Sequence, residues 1–579
     1  MHRFSVWAPA AITSVDVVLP ASGARHSMTP SPDGWWTAEV GEAGHGTDYA
    51  FSVDGGPPTP DPRSIWQPNG VHGPSRVFDP GLQEWTDTGW RGRDVLGALF
   101  YELHVGTFTP EGTFDAAVRH LDHLVDLGVD VVELMPVAAF DGRHGWGYDG
   151  VDLHSVHEPY GGPGGLQRFV DTCHSRGLAV CLDVVFNHLG PSGNYLDRFG
   201  PYFTTRHTTP WGPAVNLDDE GSVEVRRWIC DAVIRWLTDF HIDALRLDAV
   251  HAFVDGSDRH LLAQLSDEVA ALSASAGRTY AVLAETDLND PATVEPTSAG
   301  GLGMTAQWSD DFHHALHALL TGERQAYYCD FGTVEVLTRT LTQVFRHAGD
   351  HSTFRGLDWG RPVDPARHRG HAFLGYLQNH DQIGNRALGD RNGATLSLGR
   401  LAVGAALVLT SPFTPLLFMG EEWAASTPWR YFSDFPDERL GDQVRAGRRA
   451  EFARFGWDAT DVPDPQDPET REVSVLDWTE PGRGVHALIL RWHRDLIRLR
   501  RAEPDLRDDD LTRVRVSSGD GWFTVHRGGF DVLVNLGEHP VTIPVPPGAV
   551  PVLEWEPVRP ADGGLELPPD SVAVVRLPR

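Results

Sequence analysis

Ala244-Leu-Arg-Leu-Asp-Ala-Val-His251 is the stretch on which the reading of this chain turns. Its apolar residues favour a buried strand of a parallel sheet, so Arg246 and Asp248 need a reason to be inside it. Side chains two apart lie on one side of a strand, which sets a cation beside the aspartate and keeps it ionised. Such a carboxylate can act as a nucleophile. A structural ion pair at a strand end explains the octapeptide equally well, and the rest of the chain has to separate the two readings.

Outward from this stretch, strand and helix alternate. Apolar runs at 98–104, 129–136, 178–186, 242–248, 279–285, 304–308, 372–378 and 414–418 give eight strand candidates. Helical periodicity fills intervals between them, over 113–127, over 165–176, and on a face formed by Val225, Ile229, Val233, Trp236 and Phe240. Gly128 is placed to stop the first helix in a left-handed cap. This rhythm predicts an α/β protein built on a (β/α)8 TIM barrel rather than an open doubly wound sheet, and no Gly-x-Gly-x-x-Gly follows the first strand.

The flanks read differently. Over residues 1–90, short apolar runs such as 14–19 and 48–53 alternate with Gly and Pro clusters, which predicts an N-terminal β-sandwich of the kind found in carbohydrate-binding modules. Residues 57–62 and 74–85 read as exposed connecting chain. The catalytic barrel is assigned to 91–505, with the amphipathic helix 485–501 closing it, and a C-terminal β-domain to 506–579. The acidic, proline-containing stretch 435–479 reads as loop, positioned to overhang the barrel mouth.

Composition narrows the chemistry. A formal charge of −32 disfavours nucleic acid or an acidic membrane as a partner. The chain has no lysine, which excludes lysine Schiff-base chemistry and a phosphate-loop lysine. Cys173, Cys181, Cys230 and Cys329 show no paired spacing and read as buried free thiols. The start has no signal-peptide core and no segment offers the roughly 20 apolar residues that span a bilayer, so a cytoplasmic protein is expected.

In a barrel of this kind the C-terminal strand ends converge on one mouth. Reading those ends gathers Asp183, Asn187 and His188, then Arg246, Asp248 and His251, then Glu285, then His380 and Asp381. A divalent-metal site is the competing use of such carboxylates, but Arg246 among them and the lack of His-Glu-x-x-His speak against it, so neither metal nor cofactor is expected. Two carboxylates in unlike surroundings are what glycoside hydrolysis needs. Asp248 beside Arg246 stays ionised, whereas Glu285 behind Val282, Leu283 and Ala284 is desolvated and holds its proton. Asp381 is left to hold ring hydroxyls.

Asp183-Val-Val-Phe-Asn-His188, Leu245-Arg-Leu-Asp248, Leu283-Ala-Glu285 and Asn379-His-Asp381 resemble, in order, the four signature regions of the α-amylase superfamily of glycoside hydrolases. The resemblance implies that Asp248 is the nucleophile, Glu285 the acid/base and Asp381 the transition-state stabiliser. It also implies that Arg246, His188 and His380 line the subsite of the sugar being cleaved, with Tyr148 stacked beneath it, and that Asp183 is structural or calcium-linked. Residues 146–161, 379–386, 417–423 and 462–478 are similar to superfamily members that cleave the α-1,4 bond next to a terminal trehalose. The substrate so implied is a malto-oligosaccharide ending in trehalose, made upstream by a maltooligosyltrehalose synthase. His251, Trp211, Phe253, Asp255, Arg386, Trp423 and Trp429 are the mouth-loop candidates for further sugar contacts. The nearest rival is a glucan branching enzyme, which usually has Asp-Glu where Asp381-Gln382 stands and a second acid where Thr286 stands. A non-catalytic glycan-binding scaffold is the other alternative, disfavoured by the intact acids.

Overall fold

The computed structural model describes residues 1–453 and 462–578. Eight parallel strands, β1 Phe100–Leu103, β2 Val131–Leu134, β3 Ala179–Val184, β4 Ala244–Leu247, β5 Ala281–Ala284, β6 Ala306–Trp308, β7 Phe373–Gly375 and β8 Thr414–Phe418, close into a barrel. All eight coincide with the apolar runs read from the sequence. Every residue in them is buried, as expected of strands covered on both faces. Phe100, Val131, Ala244, Leu283, Leu374 and Leu416 fill the lower barrel interior.

Small differences from the sequence reading have local causes. The helix expected over 113–127 is capped by Thr113 and ends at left-handed Gly128, but a 3-10 turn, Val118–His120, divides it into Phe114–Ala117 and Leu121–Leu127. The expected helix 165–176 begins earlier, at Gly162, because Pro163 supplies a first-turn residue that needs no N–H. Gly484–Ala502 closes the barrel by packing on Leu398–Thr410.

Two antiparallel sheets precede the barrel, one of three strands and one of four, and a five-stranded and a three-stranded sheet follow it. Part of the chain read as exposed linker is instead packed: Thr59 and Asp61 are buried, and the Tyr49 hydroxyl donates to Asp61 at 2.7 Å. Ion pairs such as Arg63–Asp231 at 2.7 Å tie this segment to the barrel, which a hydropathy reading cannot see. The stretch 435–479 is not all loop, since Glu438–Ala453 is a helix whose Arg448 reaches the carbonyl of Gly384 at 2.8 Å. Residues 454–461 of that stretch lie outside the described residues. Cys173, Cys181 and Cys230 are buried free thiols as expected, but Cys329 is exposed.

Candidate active site

Backbone register delivers the acids to the mouth. The Asp248 N–H donates to Val184 O and the Glu285 N–H to Leu247 O, both at 3.0 Å, so each acid sits one residue beyond its strand on a ladder that is still intact. Ala249 then adopts a left-handed φ of 41°. That costly turn aims its N–H at Glu285 Oε2, 2.6 Å away.

Arg246 is the keystone, with a side chain 0% exposed. Its Nη1 donates to both oxygens of Asp183, at 3.0 and 2.8 Å, and to Asp248 Oδ1 at 2.8 Å. Its Nη2 lies 3.7 Å from Glu285 Oε2, and its plane covers the Trp308 ring at 4.4 Å. The ion pair and the candidate site are therefore one object, so the two readings of the octapeptide do not exclude each other. The second oxygen of Asp248 accepts from Asn187 Nδ2 at 3.0 Å. With both oxygens held, the carboxylate keeps one orientation, while its side chain stays 12% exposed toward the mouth.

Glu285 faces the same guanidinium under a different balance. Burial pushes its carboxyl up to about 8, Arg246 opposing and Asp248, Asp310 and Asp381 adding to the rise. At neutral pH it is a protonated acid beside a carboxylate. Asp381 lies in the first turn of a short helix, His380–Gly384, beyond the end of β7, and its side chain is 42% exposed. His380 beside it is buried, with Nε2 2.7 Å from the Tyr148 hydroxyl and the two rings stacked at 5.1 Å. The Tyr148 hydroxyl donates to Asp183 Oδ2 at 2.6 Å, so Asp183 braces Arg246 and Tyr148 together. Burial raises Asp183 to about 6, against the pull of Arg246, which leaves it ionised at neutral pH. Among the described residues no group of three or more His, Cys, Asp or Glu is arranged to hold a metal ion.

The outer candidates divide. His188 sits at the mouth with Nε2 3.1 Å from Tyr148 O, and Trp211, 49% exposed on a hairpin turn, stacks on it at 4.3 Å and 4°. His251 also stands at the rim, its Nδ1 3.9 Å from Asp287. Five others do not present themselves to a sugar. Phe253 is buried in the main apolar cluster. The Asp255 carboxylate is buried on Arg226 at 2.7 Å and on the Leu261 N–H at 2.6 Å, so it pins a loop. Arg386 spends its donors on Glu323, at 3.0 Å twice, and on Asp390 at 2.9 Å, which ties two mouth loops. Trp423 is fully buried, its indole N–H on Glu480 at 3.2 Å and its ring against His123 and Trp478. Trp429 is likewise buried, stacked on Trp146, and holds the His380 carbonyl at 3.1 Å from below. Accordingly Trp423→Ala is expected to lower stability by about 3–5 kcal/mol while leaving KM near wild type; denaturant unfolding and steady-state kinetics on one preparation check both halves.

Sequence reasoning missed three participants. Glu102 on β1 is buried and contacts His380. Trp308 on β6 floors Arg246. Asp310 accepts from the Tyr376 hydroxyl at 2.5 Å and from Gln382 at 3.3 Å, and burial lifts it to about 6. The available signal was the one that exposed Arg246, a charge inside an apolar strand, and Phe-Tyr-Glu-Leu at 100–103 carries it as plainly.

Comparison with known proteins places these features. A family model described as Alpha amylase, catalytic domain, matches residues 77–207, and one described as a Domain of unknown function (DUF3459) matches residues 509–574. A malto-oligosyltrehalose trehalohydrolase of Arthrobacter ramosus is 51% identical over 100% of both chains. A crystal structure of a Salmonella typhimurium protein described as an alpha amylase superposes with a TM-score of 0.90 at 37% identity, covering 99% of this chain and 97% of that one. A 1,4-alpha-glucan branching enzyme of Vibrio parahaemolyticus is 29% identical over 54% of this chain and 46% of its own.

Proposed function

The chain belongs to the malto-oligosyltrehalose trehalohydrolases of the α-amylase superfamily, and from that premise we propose how its residues divide the work. The enzyme hydrolyses the α-1,4 bond that joins a malto-oligosaccharide to a terminal trehalose, and trehalose is released. One observation carries the assignment of roles: Asp248 and Glu285 lean on the two Nη atoms of a single buried guanidinium, yet the first has a side-chain donor on each oxygen while burial pushes the second up to about 8.

Asp248 attacks the anomeric carbon from below as Glu285 gives its proton to the departing trehalose oxygen. The bond to trehalose breaks and a glycosyl ester on Asp248 forms. Glu285, now a carboxylate, takes a proton from water, which attacks the same carbon and frees the shortened oligosaccharide with its anomeric configuration retained. Asp381, open to the mouth, holds ring hydroxyls as the sugar flattens. Tyr148, His188, Arg246 and His380 surround that sugar, and Trp211 with His251 extends the surface outward. Arg246 does not itself donate to the reacting oxygen in this reading; it fixes the two acids relative to each other.

A substrate with a 1,1-linked terminus requires an earlier step that turns a reducing-end glucose unit into trehalose, the reaction of a maltooligosyltrehalose synthase. Free Cys173, Cys181, Cys230 and Cys329 suit the reducing cytoplasm, where we place the reaction, and no described helix is long and apolar enough to cross a membrane. Incubation with maltotriosyltrehalose tests the reading. Trehalose and maltotriose in equal amounts are expected; transfer products with α-1,6 linkages and no free trehalose would make this a branching enzyme instead.

A further inference from the structure

We propose that Glu102 is a positioning residue of this site: its buried carboxylate grips the main chain and the ring of His380 together and delivers that imidazole to the reacting sugar as a cation. The chemistry rests on the glycosidase reading above, but the geometry does not. Glu102 Oε2 accepts the backbone N–H of His380 at 3.0 Å, and Oε1 pairs with Nδ1 of the same residue. Both side chains are 1% exposed.

With Glu102 taken as a carboxylate, hydrogen counting gives the charge. An ionised carboxylate only accepts, so Nδ1 carries a hydrogen. On the other side of the ring, the Tyr148 hydroxyl gives its own hydrogen to Asp183 at 2.6 Å and therefore accepts from Nε2 at 2.7 Å. An imidazole with hydrogen on both nitrogens is an imidazolium. Burial works against that charge, but Glu102 and Asp381 outweigh it and lift the group to about 9.

Other groups around the ring test whether Glu102 is needed. Arg246 on β4 disfavours the cation, His104 beyond β1 is pushed down to about 3 by burial and adds no charge, and Asp381 on the same turn is 3.5 Å from Nε2 with its side chain 42% exposed, where solvent screens it. Glu133, the Cα partner of Glu102 across β1 and β2, is pushed well above the carboxylate range by its burial and by Glu102 itself. Neither carboxyl oxygen of Glu133 has a hydrogen-bond partner, so among the described residues Glu102 is the one buried carboxyl group that hydrogen-bonds this ring. The arrangement forms an unbroken series from Glu102 to Asp248, in which His380 donates to Glu102 and Tyr148, Tyr148 to Asp183, and Arg246 to Asp183 and Asp248.

Glu102→Gln keeps the size and removes the charge, and its one acceptor oxygen serves the backbone N–H or Nδ1–H but not both. Histidine-¹⁵N NMR of the full-length enzyme, with His380 assigned by difference from His380→Gln, is expected to show a charged ring at pH 7.5 in the wild type and a neutral one in Glu102→Gln. At that pH kcat/KM is expected to fall by about 100-fold, mostly in kcat, and to recover severalfold toward pH 5.5 as the ring regains its proton. Glu102→Asp keeps the charge and should keep the shape of the wild-type pH profile at a reduced rate. A His380 that titrates alike in wild type and Glu102→Gln, or a rate loss constant across pH, would overturn the proposal. Should Glu102→Gln not fold, a neutral His380 in the wild type at pH 7.5 overturns it alone. Failure of the substrate reading shows separately, as missing trehalose among wild-type products, and leaves the NMR result standing.

Discussion

Replacing Asp248 by asparagine is expected to lower kcat/KM for maltotriosyltrehalose by about 10⁴-fold or more, near 5 kcal/mol of transition-state stabilisation, while thermal unfolding shifts little. The size of the loss follows from geometry. Asp248 sits at the end of a ladder already fixed by β3 and β4, and both its oxygens are held, one by Arg246 at 2.8 Å and one by Asn187 at 3.0 Å. An amide there keeps the shape and the Arg246 contact through its oxygen, but has no lone pair of useful basicity for the anomeric carbon. Folding is retained because Arg246 still has both oxygens of Asp183. Kinetics and circular dichroism on the same sample separate the two effects. A variant that turns over near the wild-type rate would remove Asp248 from the reaction.

Glu285→Gln is expected to cost about 10³-fold in kcat on the natural substrate, and far less on a glycosyl fluoride, whose leaving group needs no proton. The wild-type pH profile carries the same information. In the proposed mechanism Glu285 works in its protonated form, and burial, opposed by Arg246 and reinforced by Asp248, raises it to about 8. Activity is therefore present below that pH and falls as pH rises through it. In Glu285→Gln no such alkaline fall remains for the fluoride substrate. An unchanged alkaline limb in the variant would assign that limb to another group, and His380, at about 9, is the next to test.

Much of this arrangement could be read from residues alone, and the reasons are physical. Barrel strands buried on both faces appear as short uninterrupted apolar runs, so β1 to β8 stand out against the polar helical intervals. A charged residue at the end of such a run is costly without a purpose, which is why Asp248, Glu285 and Asp381 were legible. Glu102 was equally costly but sat within its run instead of at its end, and a search of strand ends passes over it.

Loop residues obey no such period. Trp211 and Trp423 look alike in sequence, yet a hairpin turn lifts the first into solvent while a 3-10 turn, Glu421–Trp423, drives the second into the core. Asp255 and Arg386 each have one partner far away in the chain, Arg226 and Glu323, besides nearer ones such as the Leu261 N–H and Asp390. Pairing across loops is set by the finished fold, and local pattern does not encode it.

The central claim is a double displacement at one carbon, with Asp248 as the attacking group and trehalose as the first product to leave. Proton NMR of a fresh wild-type reaction on maltotriosyltrehalose, recorded before mutarotation, tests it most directly. The account predicts that free trehalose appears together with maltotriose whose new reducing end is the α anomer. A β anomer formed first would mean a single displacement by water and would contradict it.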